Sequence, residues 1–409
     1  MGLIRRPGAA LSVLTAINVV NYLDRFMVAA LLTLISPDLG LDGRQGGMLQ
    51  SAFIVMYLAA SPLMGWLGDR RPRLRLAAAG VAVWSAATAA GGLATTFVGL
   101  LLARALVGVG EASYAVVTPS LISDLYPPAR RGRILAIFYA AIPVGTALGY
   151  ILAGAIGERH GWRAAFFACG FPGLALALAL LLLEEPPRGR LDPRSEAPAL
   201  SLAATMAALR KRPSYWYNTI AQTIYTFGLG GLAAWMPTYF VRERHLRLGE
   251  ATQLFGAAVL VSGFAGTLVG GYFGDRLARR YPDAHFTFSA AALLGSVPFT
   301  TLGILSPYPA IFWPSMFLTM VLLFLNTGPL NAAMANVLPP ELRARGFGIY
   351  TVAIHLFGDA LSPTVIGAAS DAVGLKLPVL LSGLLVSLGG VVLLFGRRAL
   401  RADRLAAGT

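Results

Sequence analysis

The chain is poor in charged residues. Only 13% of its 409 residues are charged, whereas 56% are hydrophobic, and a soluble domain carries about 25% charged residues. Acidic residues are the scarcer kind, with 19 Asp and Glu against 33 Lys and Arg. The single cysteine, Cys169, excludes an internal disulfide. This composition excludes an ordinary soluble domain and predicts a protein that lies in a lipid bilayer.

The net charge of +14 raises the question of a nucleic-acid partner. The basic residues argue against one, because they lie in short clusters between apolar runs and form no basic domain. The pair Gly108 and Gly110 is not a phosphate loop, since a third glycine is missing and the pair lies inside an apolar run. We therefore predict a protein that is not an enzyme, takes no cofactor and binds no nucleic acid.

Twelve apolar runs are each long enough to cross a bilayer as a helix, which takes about 20 residues. They predict an all-α membrane protein with an N-terminal six-helix bundle (1–184), a linker (185–213) and a C-terminal six-helix bundle (214–409). Within the linker, Leu200–Arg212 predicts a short amphipathic helix at the membrane surface. The predicted spans are 9–34, 47–67, 75–95, 97–121, 133–156, 162–184, 214–240, 251–273, 285–306, 309–336, 345–370 and 375–396.

Basic residues in the loops predict the orientation of these spans. When the loops are assigned alternately to two sides, 24 of the 33 Lys and Arg fall on one side and 7 on the other. Cytoplasmic loops carry the excess of positive charge, so both termini are predicted to be cytoplasmic in an inner (plasma) membrane. The richer clusters lie at residues 5–6, 70–75, 130–133, 188–212, 276–280, 343–345 and 397–404.

A short motif occurs once in each predicted half. Gly65–Arg71 reads Gly-Trp-Leu-Gly-Asp-Arg-Arg, and Gly271–Leu277 reads Gly-Tyr-Phe-Gly-Asp-Arg-Leu. Each copy ends the second span of its half, and such weak internal symmetry is typical of transporters built from repeats. The sequence therefore predicts two pseudo-symmetric halves.

Twelve spans, a central loop and the Gly-x-Leu-x-Asp-Arg motif at 65–70 resemble the major facilitator superfamily. Within it, five further segments resemble the Spinster family, and short, Arg-rich loops favour a bacterial member. That resemblance implies a transporter of lysophospholipid-like or sphingosine-1-phosphate-like lipids that works by alternating access. The five segments are Asn21–Arg25, Leu49–Phe53, Arg104–Tyr114, Phe138–Gly149 and His355–Asp359.

Four charges lie inside the first and fourth predicted spans: Asp24, Arg25, Arg104 and Glu111. Arg104 and Glu111 are seven residues apart and share a helix face, whereas the adjacent Asp24 and Arg25 do not. Because an unpaired charge in hydrocarbon is costly, we predict cross-pairing, with one carboxylate beside each arginine. The cluster could be purely structural, or it could bind protons and a head group. The resemblance implies proton coupling at Asp24 and Glu111 and substrate binding at Arg25, to which we add Arg104 and Tyr114.

A charge count indicates how such a cluster could couple two fluxes. With all four groups ionised the cluster is neutral, so an anionic head group at Arg25 would leave an excess negative charge. Protonation of Glu111 or Asp24 would remove that excess, which favours symport of a proton with an anionic, lipid-like substrate. A cationic substrate would compete with the proton, which favours an antiporter that exports amphipathic drugs or organic ions. A lipid scramblase, a channel or a non-transporting receptor remain alternatives.

Span eleven contains His355 and Asp359, four residues apart on one face. They form either a local pair or a second polar wall of the substrate site; a metal site is not predicted, because no further ligands lie nearby. Asn326 in span ten lies where span four carries its charges, and it is neutral. A charged N-terminal half and a neutral C-terminal half suit an amphipathic substrate with one charged end, and we predict that the carrier is a monomer.

Asp69 and Asp275 end the second span of each half. A carboxylate there can lie at a helix N-terminus and pair with a loop arginine. The resemblance implies that both are gating residues, together with Arg70, Arg131 and Arg345. The plainer alternative is that these side chains cap loops.

Overall fold

The computed structural model describes residues 6–189, 191 and 201–407. Within them the chain forms sixteen α-helices and no β-strand. Part of the predicted linker, including the start of the predicted amphipathic helix at Leu200, lies outside the described residues. The helices of the N-terminal part are α1 Pro7–Leu39, α2 Gly43–Arg70, α3 Arg73–Gly91, α4 Phe97–Leu125, α5 Pro128–Tyr139, α6 Ala141–His160 and α7 Trp162–Leu181.

The short amphipathic helix of the linker is present as α8, Leu202–Arg210. The Ser201 side chain accepts the backbone N–H of Ala204 and so caps its N-terminus. The helices that follow are α9 Pro213–Arg244, α10 Leu248–Ala278, α11 Ala284–Leu305, α12 Pro309–Phe324, α13 Thr327–Val337, α14 Pro340–Ile354, α15 Ser362–Val373 and α16 Lys376–Ala407.

Helix ends follow local sequence signals. Asp42 and Gln45 form a capping box at the start of α2, and the Thr96 side chain caps α4 by accepting the N–H of Gly99. Gly40 ends α1 in the left-handed conformation, with φ of 62°, which costs glycine least. Capping residues therefore set the short loops between the first helices.

Three of the predicted spans consist of more than one helix. Span five is divided between α5 and α6 at Ala140, and span ten between α12 and α13 at Leu325 and Asn326. Span eleven is α14, a π-helical turn at His355–Asp359, and α15. The turn is closed by the Ala360 N–H, which donates to the His355 carbonyl over 2.9 Å, and single π-turns often lie at functional sites.

Eleven helical segments in the described part of the chain are long and apolar enough to cross a membrane. The remaining long helix, Pro213–Arg244, has 32 residues and corresponds to the predicted seventh span. Polar residues lower its mean hydropathy below that of the other eleven segments. They include Asn218, Gln222 and Thr223. The predicted all-α membrane architecture is confirmed.

Cα positions divide the chain into two compact units. One is Met1–Glu196 with Ala234–Ala257, and the other is Ala197–Ala233 with Ala258–Thr409. The first has a core around Phe53, Trp84 and Tyr114. The second has a core that includes Tyr215 and Phe286. The bundle boundaries predicted at 184 and 214 stay a prediction.

Glycines let helices of the first unit approach closely. A Cβ at Gly108 of α4 would lie 2.9 Å from the Tyr57 backbone nitrogen of α2, and one at Gly149 of α6 would lie 2.6 Å from the Leu23 oxygen of α1. Such contacts are typical of small residues where membrane helices cross. They bring α1, α2, α4 and α6 together around the intramembrane charges.

Candidate functional site

The four intramembrane charges pair between α1 and α4. Arg25 Nη2 donates to Glu111 Oε2 over 3.0 Å, and Arg104 Nη1 lies 3.4 Å from Asp24 Oδ1. Each arginine thus has a carboxylate from the other helix, which is the predicted cross-pairing.

The two ion pairs differ in their access to the surface. The side chains of Asp24 and Arg104 are each 1% exposed, and the Thr88 hydroxyl of α3 donates to the second Asp24 oxygen. In the other pair Glu111 is 0% exposed, whereas Arg25 keeps 22% of its surface. Arg25 is therefore the member of the cluster that an incoming group can reach.

Aromatic rings surround the Arg25 guanidinium. Its Cζ lies 4.7 Å from the Tyr22 ring centroid, 4.9 Å from that of Phe53 and 5.4 Å from that of Tyr57. The Phe53 ring also lies 5.2 Å from Arg104 Cζ. Cation–π contacts at these distances are attractive, so the rings hold the cation while leaving its hydrogen-bond donors available.

Several polar atoms of the cluster are buried without a hydrogen-bond partner among the described residues. They are Nε of Arg25, Nε and Nη2 of Arg104, and Oε1 of Glu111. Buried polar groups are usually hydrogen-bonded, and an exception calls for an explanation. The cluster therefore holds donors and one acceptor that its own ion pairs leave unsatisfied.

Tyr114, predicted to bind substrate, lies in the core of the first unit. Its hydroxyl donates to the Leu14 carbonyl over 2.5 Å, and its ring meets Trp84 edge to face at 5.7 Å between centroids. Asn18 ties α1 to α5 in a similar way, by donating to the Phe138 carbonyl over 3.1 Å. These contacts fix α1, although the substrate-binding role of Tyr114 stays a prediction.

In the second unit, His355 and Asp359 form the local pair. His355 Nδ1 lies 2.9 Å and 3.1 Å from the two Asp359 carboxylate oxygens, and both side chains are partly exposed. Asn326 is buried at the end of α12, where its amide donates to the Leu323 carbonyl over 2.5 Å. Of the residues predicted in the second unit, His355 and Asp359 thus form a partly exposed polar pair, and Asn326 is a buried amide.

Of the predicted gating residues in the first unit, Asp69 and Arg70 are exposed at the end of α2. The Arg70 guanidinium stacks over Trp66, with Cζ 4.3 Å from the ring centroid. Arg131 donates to the backbone carbonyls of Ser123 and Tyr126 and so caps the end of α4. Arg131 therefore makes a capping contact, and its gating role stays a prediction.

In the second unit, Asp275 lies 3.5 Å from Nε2 of the buried His285 at the start of α11. Arg345 Nη1 lies 3.5 Å from the Thr205 hydroxyl of α8. These contacts tie the predicted gating residues to neighbouring helices, and their gating roles stay predictions.

Sequence reasoning missed a further buried ion pair, outside the intramembrane cluster. Arg73 Nη1 donates to Asp124 Oδ2 over 2.6 Å, with both side chains nearly buried, and Arg73 Nε lies 3.5 Å from Glu185. The sequence counted Arg73 among loop charges because it follows the α2–α3 turn. Asp124, a carboxylate at the end of span four, was the signal that could have revealed the pair.

The model of the Major Facilitator Superfamily matches residues 14–363 of the chain. Among curated relatives, Protein spinster homolog 1 of Bos taurus is 36% identical over 386 residues, which cover 88% of this chain and 72% of that protein. The Homo sapiens protein of the same name is 34% identical, covering 98% of this chain and 82% of its own. Protein spinster of Drosophila melanogaster is 32% identical, with coverages of 88% and 62%.

Solved structures agree on the fold. A bacterial homologue of the human lysosomal transporter Spinster, in an inward-facing and unoccupied conformation, has a TM-score of 0.89 at 22% identity over 97% of this chain and 98% of its own. A D-xylose–proton symporter has a TM-score of 0.69 at 16% identity, with coverages of 93% and 96%. The chain is therefore a multi-pass membrane transporter of the major facilitator superfamily, and within it belongs to the Spinster family.

Proposed function

We propose that this transporter couples protons to the movement of an amphipathic, anionic lipid of the lysophospholipid or sphingosine-1-phosphate type. The observation that carries the proposal is the Arg25–Glu111 pair, in which a partly exposed cation covers a fully buried carboxylate. The resemblance of the motifs in α1, α4 and span eleven to Spinster proteins supports the lipid-like substrate. The major facilitator fold supports transport by alternating access.

Arg25 is suited to receive the anionic head group. A guanidinium presents donors in a planar fork that matches phosphate or carboxylate oxygens. One Arg25 donor is occupied by Glu111, and its Nε has no partner in the described residues. A head group that binds the Arg25 fork with two oxygens would compete with Glu111 for Nη2.

The proton binds Glu111 once the head group has displaced this carboxylate from Arg25. A carboxylate that loses its counter-ion in a water-poor interior is more stable as the neutral acid, and Glu111 has no exposed surface to recover hydration. Substrate and proton therefore favour each other's binding, which is the thermodynamic basis of symport. Asp24 is the second candidate for the proton, although Arg104 and Thr88 already occupy its two oxygens.

We propose three further substrate-binding residues in the second unit. His355, Asp359 and Asn326 are proposed to contact the substrate, and the partly exposed His355–Asp359 pair is the accessible part of that set. We further propose Asp69, Arg70, Arg131, Asp275 and Arg345 as gating residues at the membrane surface, and a monomer in the plasma membrane as the working form.

Reconstitution into liposomes tests the proposal. Native mass spectrometry first identifies the lipids that co-purify and the oligomeric state. Lysophosphatidylcholine, lysophosphatidylglycerol and sphingosine-1-phosphate are then offered with an imposed proton gradient. We expect one of them to accumulate against its own gradient when protons flow in the same direction. Accumulation driven by protons flowing the opposite way would indicate the antiporter, and equilibration without accumulation would indicate a channel or scramblase.

A further inference from the structure

The first residues of the linker, Glu185–Gly189, are bound tightly to the first unit. The Arg188 guanidinium donates to three backbone carbonyls at the end of α2: Gly68 over 2.6 Å, Arg71 over 2.7 Å, and Asp69. The last carbonyls of a helix have no partner within the helix, and a cation there also meets the negative end of the helix dipole. Arg188 thus caps α2 from a distant part of the chain.

The same linker segment also caps α3. The Glu185 carboxylate accepts the backbone N–H of Arg73 over 2.8 Å and that of Leu74 over 3.3 Å. These are among the first N–H groups of α3, which lack helical partners and favour an anion. The Glu185 carboxylate at the start of α3 and the Arg188 guanidinium at the end of α2 therefore hold the α2–α3 turn from both sides.

A third contact joins α4 to this arrangement. The Gly189 N–H donates to Asp124 Oδ1 over 3.0 Å, while Arg73 occupies the other oxygen of the same carboxylate. Asp124 closes the helix that carries Arg104 and Glu111. A cleft of about 490 Å³ opens beside these groups and is lined by Asp69, Arg73, Asp124 and Arg188 among others.

We propose that Arg188 is a positioning residue for Asp69, and that Glu185–Gly189 is a clamp that fixes the α2–α3 turn. Arg188 binds the backbone of Asp69, so it sets where the exposed carboxylate points while leaving that carboxylate free to act as a gate. The positioning role of Arg188 rests on the gating function proposed for Asp69. The clamp at the α2–α3 turn does not depend on that function.

Amide hydrogen exchange tests the clamp without reference to transport. Arg188→Gln removes the charged fork, and we expect the amides of residues 67–71, 73 and 74 to exchange about tenfold faster, the scale set by loss of charge-assisted hydrogen bonds. Arg133→Gln, at an exposed arginine of α5, is the matched control and should leave them unchanged. Arg188→Lys keeps the charge without the fork and should lie between. Unchanged exchange in Arg188→Gln would overturn the clamp.

A double-mutant cycle tests the positioning role. If Arg188 acts through Asp69, then Asp69→Asn and Arg188→Gln each change the counterflow rate in the same direction, and the double variant changes it no further. Additive effects would overturn positioning. If Asp69→Asn leaves counterflow unchanged, the gating proposal fails, whereas hydrogen exchange still decides on the clamp. Should Arg188→Gln fold poorly, Glu185→Gln tests the clamp by hydrogen exchange, and Arg188→Lys takes its place in the cycle with Asp69→Asn.

Discussion

Arg25 donates to Glu111 over 3.0 Å, yet 22% of the arginine side chain is exposed and none of the glutamate. The exposed partner of a buried pair is the one that a ligand can engage first. A ligand that takes Arg25 leaves Glu111 buried without its counter-ion, and a proton then restores neutrality. This order of events is the physical basis of the proposed coupling to protons.

The first prediction concerns the proton. Glu111→Gln keeps the size of the side chain and a hydrogen-bond acceptor for Arg25 but cannot take up a proton. We expect uptake driven by a pH gradient to fall at least tenfold, while exchange of substrate in counterflow persists. Both are measured in proteoliposomes with the substrate identified by mass spectrometry.

Glu250→Gln is the control for that experiment, since Glu250 is an exposed glutamate in the first turn of α10. Uptake by Glu250→Gln should depend on the pH gradient in the same way as uptake by the unsubstituted protein. A Glu111→Gln protein that still follows the pH gradient would eliminate Glu111 as the proton carrier, and Asp24→Asn would then be the variant to examine.

The second prediction concerns the buried ion pair between Asp24 and Arg104. Arg104→Ala leaves Asp24 almost fully buried without its ion-pair partner, and such a loss costs about 3–5 kcal/mol. Replacing both charges, as in Asp24→Asn with Arg104→Gln, should recover most of that stability. Thermal unfolding in detergent measures the difference. If the double variant is no more stable than Arg104→Ala, the two residues do not act as a pair.

The third prediction concerns close packing. A methyl group at Gly149 would press on the Leu23 backbone of α1, next to Asp24 and Arg25. Gly149→Ala should therefore lower both stability and uptake. Gly295→Ala is the matched change in α11, where nothing lies within 4 Å of the added carbon, and it should gain up to about 1 kcal/mol from helix propensity. Equal effects of the two variants would contradict the packing explanation.

The fourth prediction concerns the gate. Cys169 is 5% exposed and is the only cysteine, so Cys169→Ser gives a clean background for labelling. Tyr57→Cys then places a thiol close to Arg25. We expect Asp69→Asn to increase labelling of that thiol by a maleimide added on the side that carries Asp69. Without its charge, Asp69 no longer stabilises the closed state in its proposed gating role, so the site opens to that side more often. Unchanged labelling would argue against a gate at Asp69.

The sequence predicted the charged cluster well because the cost of burying charge leaves few arrangements. Four charges on two apolar helices had to pair between the helices, and they do. Because each helix carries one acid and one arginine, pairing between the helices assigns Arg25 to Glu111 and Asp24 to Arg104, but the sequence could not show which pair stays partly exposed. Thr88 gave no signal at all, since a single hydroxyl in an apolar run is common.

Features that depend on distant parts of the chain escaped the sequence. Residues 185–189 lie in a Pro-containing loop by composition, yet Glu185 and Arg188 cap two helices more than a hundred residues earlier in the chain. The π-helical turn at His355–Asp359 also went unpredicted, because a single turn of five residues is too short to show a period of its own. Hydropathy reports burial, and it does not report which polar groups satisfy one another.

The repeated motif contains two residues under separate constraints. A Cβ at Gly68 would meet Val117 of α4, and one at Gly274 would meet Pro329 of α13, so each glycine is fixed by assembly of its own half. The aspartate that follows each glycine has no such steric duty. Assembly in the membrane therefore depends on the glycine of each copy, whereas the aspartate, exposed in both copies, is left for a role at the surface.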